Sequence, residues 1–123
     1  MIAGLGIDLV EVERIEQALG RWGGAFLARL MDPDEIAQLP SGAPARAVAD
    51  AVAVKEAVSK AIGTGWSGGV RWRDVVVSHG ERPAARLSGA ALAAARRLGS
   101  SGVTEVRIER PPGLVIATVR LLA

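Results

Sequence analysis

Three charged side chains stand where the surrounding residues give no plain reason for them. Glu56 and Lys60 are four positions apart in Val52-Ala53-Val54-Lys55-Glu56-Ala57-Val58-Ser59-Lys60. On a helical wheel with Val54 at the origin, Ala47, Ala51, Val58, Ala61 and Ile62 form the expected buried stripe. Glu56 and Lys60 then lie at about 200° and about 240°, neighbours on the opposite face. An ordinary exposed pair at this spacing is worth ~0.3–0.5 kcal/mol; the chemical alternative is a carboxylate and an ammonium serving one ligand. Asp8 is the third charge, inside the apolar run Met1 to Val10 and on the same strand face as Gly4 and Gly6. A carboxylate buried there needs a cation, either a nearby arginine or a divalent metal shared with a second carboxylate. Mg²⁺ takes one or two carboxylates and completes its shell with water and phosphate oxygens. Asp8 and Glu56 with a diphosphate would make such a site if the helix packs beside the strand.

Lysine usage points to the same segment. Thirteen of the fifteen basic residues are arginine, and the two lysines, Lys55 and Lys60, are five positions apart. A compact ammonium is chosen there over a planar guanidinium fork.

The elements that must carry these groups follow from periodicity. Met1 to Leu9 alternates as a strand. Glu11 to Arg21 reads as an amphipathic helix packing Val12, Ile15, Leu19 and Trp22. A short element carries Phe26, Leu27 and Leu30. Asp32-Pro33-Asp34-Glu35 has capping-box spacing and opens a brief helix to Leu39. Ala45 to Ile62 is the longest helix, stopped by Gly63-Thr64-Gly65. Arg71 to His79 reads as a strand, with Ala84 to Leu87 as its partner across Gly80 to Pro83. Ser88 is expected to cap a helix through Leu98, and Val103 to Glu109 pairs with Leu114 to Leu122 across Pro111-Pro112-Gly113. The expected class is α+β, antiparallel strands around a long central helix, in one domain over residues 1–123.

Composition narrows the function classes. The chain has no cysteine and a single histidine, His79, which leaves out disulfides, thiol catalysis and a cysteine or multi-histidine zinc site. The longest uncharged stretches, Ile36 to Ala45 and Ala61 to Val70, contain proline or glycine and are about half the ~20 residues a membrane span needs. No basic leader precedes Asp8, so no signal peptide, no membrane partner and a cytoplasmic location are expected. The net charge of +2 divides into nine acids against five bases over residues 1–56, and four against ten over residues 57–123. A basic half suits a polyanionic partner. Nucleic acid is not the expected one, because Trp22, Phe26, Trp66 and Trp72 are scattered and not interleaved with arginines.

Gly6-Ile7-Asp8-Leu9-Val10-Glu11-Val12-Glu13-Arg14-Ile15 and Lys55-Glu56-Ala57-Val58-Ser59-Lys60-Ala61-Ile62-Gly63-Thr64-Gly65 together resemble the two signature segments of the holo-(acyl carrier protein) synthases, the short trimeric class of 4′-phosphopantetheinyl transferases. Phe26, Arg29 and Glu35 match the family's spaced Phe, Arg and Glu, and Gly80, Pro83, Leu87, Gly89 and Ala95 its turn and last helix. The resemblance implies a homotrimer that moves phosphopantetheine from coenzyme A to a serine of an apo acyl carrier protein. It implies Mg²⁺ held by Asp8 and Glu56, Lys60 on the transferred phosphate, and Glu56 as the base, directly or through a metal-bound water. It further implies coenzyme A contacts at Lys55, Lys60, Gly63 and Gly65, and docking of the carrier's acidic helix on Arg14 and Arg21.

Two positions depart from the family pattern. The usual Arg of Arg-Phe-Ala-Ala-Lys-Glu is Ala51, and the His of Ser-Leu-Ser-His is Arg110; both family residues help hold the nucleotide's 3′-phosphate. Arg110 is expected to replace the His as a phosphate ligand. The other reading of the departures is a diverged relative that docks a carrier without the transferase reaction, or acts on its acyl chain.

Overall fold

The longest helix, α4 (Ala45–Ala61), is the centre of the molecule. Its run of alanines favours helix and keeps its surface thin enough for other elements to close on it from several sides. Val48, Ala49, Ala51, Ala53, Val54, Ala57 and Val58 have no exposed surface, and Asp50, Lys55 and Ser59 are buried with them. The single apolar stripe expected from the helical wheel is therefore too narrow: α4 is a core helix enclosed on most of its circumference.

The computed structural model describes all 123 residues. Strand β1 (Ile2–Glu11) leads directly into α1 (Val12–Trp22), α2 (Gly24–Leu30) and the short α3 (Pro33–Ala37), and α4 follows. Next come a 3₁₀ turn (Trp72–Asp74), strands β2 (Val75–Ser78) and β3 (Ala84–Leu87), helix α5 (Gly89–Arg97), and the hairpin β4 (Thr104–Glu109) and β5 (Leu114–Leu122). β5 is the middle strand of an antiparallel sheet in the order β1-β5-β4, and β2 and β3 form a separate antiparallel pair. The architecture is the expected α+β arrangement of antiparallel strands around a long central helix.

The inner face of the larger sheet covers α4. Val115, Ala117, Val119 and Leu121 of β5 are fully buried there, and the register sets Gly6 opposite Val119 and Asp8 opposite Ala117. β1 comes closer to α4 than side chains allow. A Cβ at Gly4 would collide with the Ala61 carbonyl oxygen and one at Gly6 with that of Ala57. The outer face of β1 is bare: Leu5, Ile7 and Leu9 are each more than half exposed.

Lys55 fastens the other side of α4. Its ammonium donates to Glu35 Oε1 at 3.1 Å, to the Val75 carbonyl at 2.5 Å and to the Trp72 carbonyl at 3.1 Å. Glu35 also completes the expected capping box with Asp32 at the start of α3, and its Oε2 accepts from Val77 N at 3.0 Å. One buried ion pair thus joins α3, the 3₁₀ turn, β2 and α4. Burial lowers the Lys55 pKa from its ordinary value, and the Glu35 carboxylate opposes that shift.

Some boundaries differ from expectation for local reasons. The strand expected over Arg71 to His79 begins only at Val75, because the Asp74 carboxylate accepts from Arg71 N and folds the first residues into a turn. Ser88 stands at the N-cap of α5, yet its hydroxyl turns back to the Asp74 carbonyl at 3.4 Å and leaves the helix uncapped by a side chain. Trp22, expected in the packed face of α1, is 57% exposed and lies beneath the Arg21 guanidinium, 5.2 Å from the ring centroid. After α4, Trp66 stacks on Trp72 with centroids 4.0 Å apart.

Removing one member of a buried ion pair strands the other charge. Lys55→Met is expected to cost about 3–5 kcal/mol in urea unfolding, and Lys55→Met with Glu35→Gln to cost less than the two single changes added together. Additive losses would mean that the two side chains act independently.

Candidate active site

Asp8 meets α4 because β1 can lie against it. With glycine at positions 4 and 6, the strand approaches the C-terminal half of the helix, and the next side chain on that face is Asp8. Its Oδ1 lies 2.8 Å from Lys60 Nζ, which also donates to the Ile7 carbonyl at 3.1 Å. The cation that Asp8 requires is thus a lysine of α4 and not an arginine. The Asp8 side chain is 17% exposed and that of Lys60 52%. The hydrogen bond to Asp8 raises the Lys60 pKa above its ordinary value, assisted by the negative charges of Asp8 and Glu56.

Glu56 is half-buried, and its carboxylate makes no hydrogen bond or ion pair. The helical pair expected between Glu56 and Lys60 is not formed; Lys60 turns from its own helix to the strand. Asp8, Glu56 and Lys60 nevertheless share one electrostatic neighbourhood at the surface. Nowhere in the chain do three acidic or histidine side chains converge. Two carboxylates, one already holding a cation, fit an ion such as Mg²⁺ that draws its remaining ligands from water and phosphate.

Gly63 and Gly65 follow α4 with positive φ of 78° and 57°. Their N–H groups donate to the Lys60 and Ser59 carbonyls, at 3.1 and 3.2 Å, which turns the chain back over the end of the helix. A Cβ at either position would meet nothing within 4 Å, so glycine is needed for the backbone conformation and not for room. Lys55 belongs elsewhere. Its side chain has no exposed surface and its donors are spent on Glu35, Trp72 and Val75, so the sequence expectation of a ligand-binding Lys55 is corrected to a fastening one.

Arg110 is also committed. Its Nε and Nη2 donate to the two carboxylate oxygens of Asp50, at 3.2 and 2.8 Å, and this pairing raises its pKa. The pair lines an open cavity of about 660 Å³ together with Arg46, His79 and Arg107. Asp50 escaped the sequence reading although the signal was present: an acid between Ala49 and Ala51 in a buried helix needs a cation for the same reason as Asp8. Ala51 itself is fully buried and brings no charge to that position. On α1, Arg14 is 79% exposed with Glu11 3.7 Å away, and Arg21 is exposed over Trp22.

The site should be sensitive to a single methyl on β1. Gly6→Ala forces the strand off the Ala57 carbonyl and is expected to cost about 1–3 kcal/mol by overpacking, with loss of the Asp8–Lys60 contact. Urea unfolding and the ¹⁵N signal of the Lys60 ammonium would read the two effects. An unchanged signal would mean that Asp8 does not depend on the close approach.

Comparison with known proteins agrees with the fold. The 4′-phosphopantetheinyl transferase superfamily matches residues 4–118. A holo-(acyl-carrier-protein) synthase of Solidesulfovibrio magneticus is 48% identical over 103 residues, covering 82% of this chain and 83% of that one. The crystal structure of the Neisseria meningitidis synthase superposes with a TM-score of 0.85 at 31% identity over the full length of both chains. That of the Helicobacter pylori synthase in complex with coenzyme A has a TM-score of 0.79 at 28% identity, covering 95% of this chain and 98% of that one. These relatives are named as synthases, and none of them favours the diverged, non-transferase reading.

Proposed function

The chain belongs to the 4′-phosphopantetheinyl transferase superfamily, and from that premise we propose that it transfers 4′-phosphopantetheine from coenzyme A to a serine hydroxyl of an apo acyl carrier protein. The carrying observation is that Lys60 bonds to Asp8 beside the unpaired Glu56. Two acids and a mobile cation are the parts phosphoryl transfer needs, since its catalysis is mostly positioning and charge neutralisation.

In this reading the serine oxygen attacks the phosphorus bearing the pantetheine arm, and adenosine 3′,5′-bisphosphate leaves. Asp8 and Glu56 would hold Mg²⁺, which when bound neutralises the pyrophosphate charge. Lys60 leaves Asp8 for an oxygen of the transferred phosphate. Glu56 has no side-chain partner within the chain, so one carboxylate oxygen would serve the ion while the other takes the serine proton. The turn at Gly63 and Gly65 begins two residues beyond α4, and its backbone is read as a contact for coenzyme A.

The wider assembly is read in the same way. Arg14 and Arg21, exposed on α1, suit the acidic surface of a carrier protein. A homotrimer is supported by Leu5, Ile7 and Leu9, an apolar row on the outer face of β1 of the kind that marks an interface. The chain acts as one domain over residues 1–123. No helix is long and apolar enough to cross a membrane, in keeping with the cytoplasm, where coenzyme A and carrier proteins meet.

Asp8→Asn and Glu56→Gln are each expected to lower kcat by at least about 10²-fold, the scale for loss of one transition-state electrostatic group, with the fold unchanged. Weighing the carrier after incubation with coenzyme A and Mg²⁺ checks this; turnover near the unmodified level in either variant would remove that residue from the metal site.

The Asp50–Arg110 pair predicts weak recognition of the nucleotide's 3′-phosphate, because Arg110 is already neutralised and Ala51 offers no charge. Coenzyme A and 3′-dephospho-coenzyme A are expected to bind with similar affinity, and Asp50→Ala to favour coenzyme A by about tenfold, the worth of one charge-assisted hydrogen bond. Calorimetry with both ligands decides it, and strong discrimination by the unmodified protein would show that Arg110 is shared with the phosphate.

A further inference from the structure

Asp8 already carries a cation, and that cation belongs to the chain. Lys60 Nζ sits 2.8 Å from Asp8 Oδ1 and 3.1 Å from the Ile7 carbonyl. Asp8 is mostly enclosed by β1 and α4, at 17% exposure, so the ammonium covers a large part of what a metal could reach. Glu56, four residues before Lys60 on α4, has no side-chain partner. A metal ion that takes Asp8 through Oδ1 must displace Lys60, and a lysine that stays nearby repels a dication on either oxygen.

Lys60 is built to be displaced. Its side chain is 52% exposed and its only bonds are the two to β1. Lys55, one and a half turns earlier on the same helix, is enclosed and bonded three times. The same residue type is thus fixed at one position and free to swing at the other. What would draw Lys60 away is a stronger anion at the mouth of the site, and a phosphate ligand is one.

We propose that Lys60 is a placeholder cation, occupying Asp8 until a phosphate ligand takes the ammonium, so that a divalent cation binds weakly by itself and tightly together with the phosphate. This rests on the reading of Asp8 and Glu56 as metal ligands. Linkage makes the effect mutual: the metal must strengthen phosphate binding by the same factor by which the phosphate strengthens metal binding.

Mn²⁺ uptake by the protein, followed by the electron paramagnetic resonance of the free ion, tests the proposal. Titrations without and with coenzyme A, corrected for Mn²⁺ held by coenzyme A itself, are compared for the unmodified protein, Lys60→Met and Lys60→Gln. Loss of a positive charge a few ångströms from a dication is worth about tenfold in affinity in a well-solvated site. Both variants are therefore expected to bind Mn²⁺ alone about tenfold more tightly than the unmodified protein, with a smaller gain from coenzyme A. Adding Asp8→Asn to Lys60→Met is expected to abolish the increase, which assigns it to this carboxylate. Variants that bind Mn²⁺ alone no better than the unmodified protein would overturn the placeholder role, and would leave the metal site standing if coenzyme A still promotes uptake. No uptake by any of the proteins, with or without coenzyme A, would overturn both the placeholder and the metal assignment.

Discussion

The distance between β1 and α4 is the constraint on which the rest of the molecule depends. Two glycines on one face of the strand bring backbone against helix carbonyl oxygens at Ala57 and Ala61, closer than any side chain would permit. That contact places the start of the chain against its longest helix and aligns β5, and through it β4, over the core. It also carries a carboxylate from position 8 to a lysine fifty-two positions later. A strand held one side-chain layer further out would cover the same apolar surface and leave Asp8 with nothing to meet.

Around α4 the same electrostatic problem is solved three times at different depths. Lys55 and Glu35 are enclosed, Asp50 is buried under a partly exposed Arg110, and Asp8 is mostly covered beneath a largely exposed Lys60. Asp50, Lys55 and Lys60 each find a partner on a remote segment, so each pair closes a long loop of chain as well as neutralising a charge. Depth decides the role. The enclosed pair holds elements together, since neither partner has another place to go. The Asp8–Lys60 pair can give up its largely exposed ammonium to a ligand, whereas Asp50 is buried and keeps Arg110, since a stranded buried charge is costly.

Much of this was legible before any coordinates. The capping box at Asp32 to Glu35, the span of α4 and the last hairpin rest on short-range rules of caps, periodicity and turns, and these do not depend on what packs around them. Asp8 stood out because an acid in an apolar strand demands a cation. What the sequence concealed was long-range pairing. The wheel for α4 assumed one buried side, whereas alanine lets several neighbours approach, so Lys55, expected on a ligand, is turned inward, and the buried Asp50 gave no signal on the wheel. The strand expected from Arg71 begins late for a local reason that patterning does not weigh, an aspartate folding the backbone onto its own turn. Arg110 was read by its chemistry as a free phosphate fork, and its partner lies sixty positions away.

The stacked Trp66 and Trp72 join two parts of this arrangement. Trp66 lies just beyond Gly65 in the turn that ends α4, and Trp72 belongs to the turn whose carbonyl receives the Lys55 ammonium. The third tryptophan, Trp22, is far more open to water and sits under an arginine. The molecule therefore contains its own optical probe: one close-coupled indole pair at the mouth of the glycine turn, and one solvated indole on α1 for reference. Movement of that turn would change the exciton coupling of the pair in near-ultraviolet circular dichroism while leaving the Trp22 emission in place, with no label added.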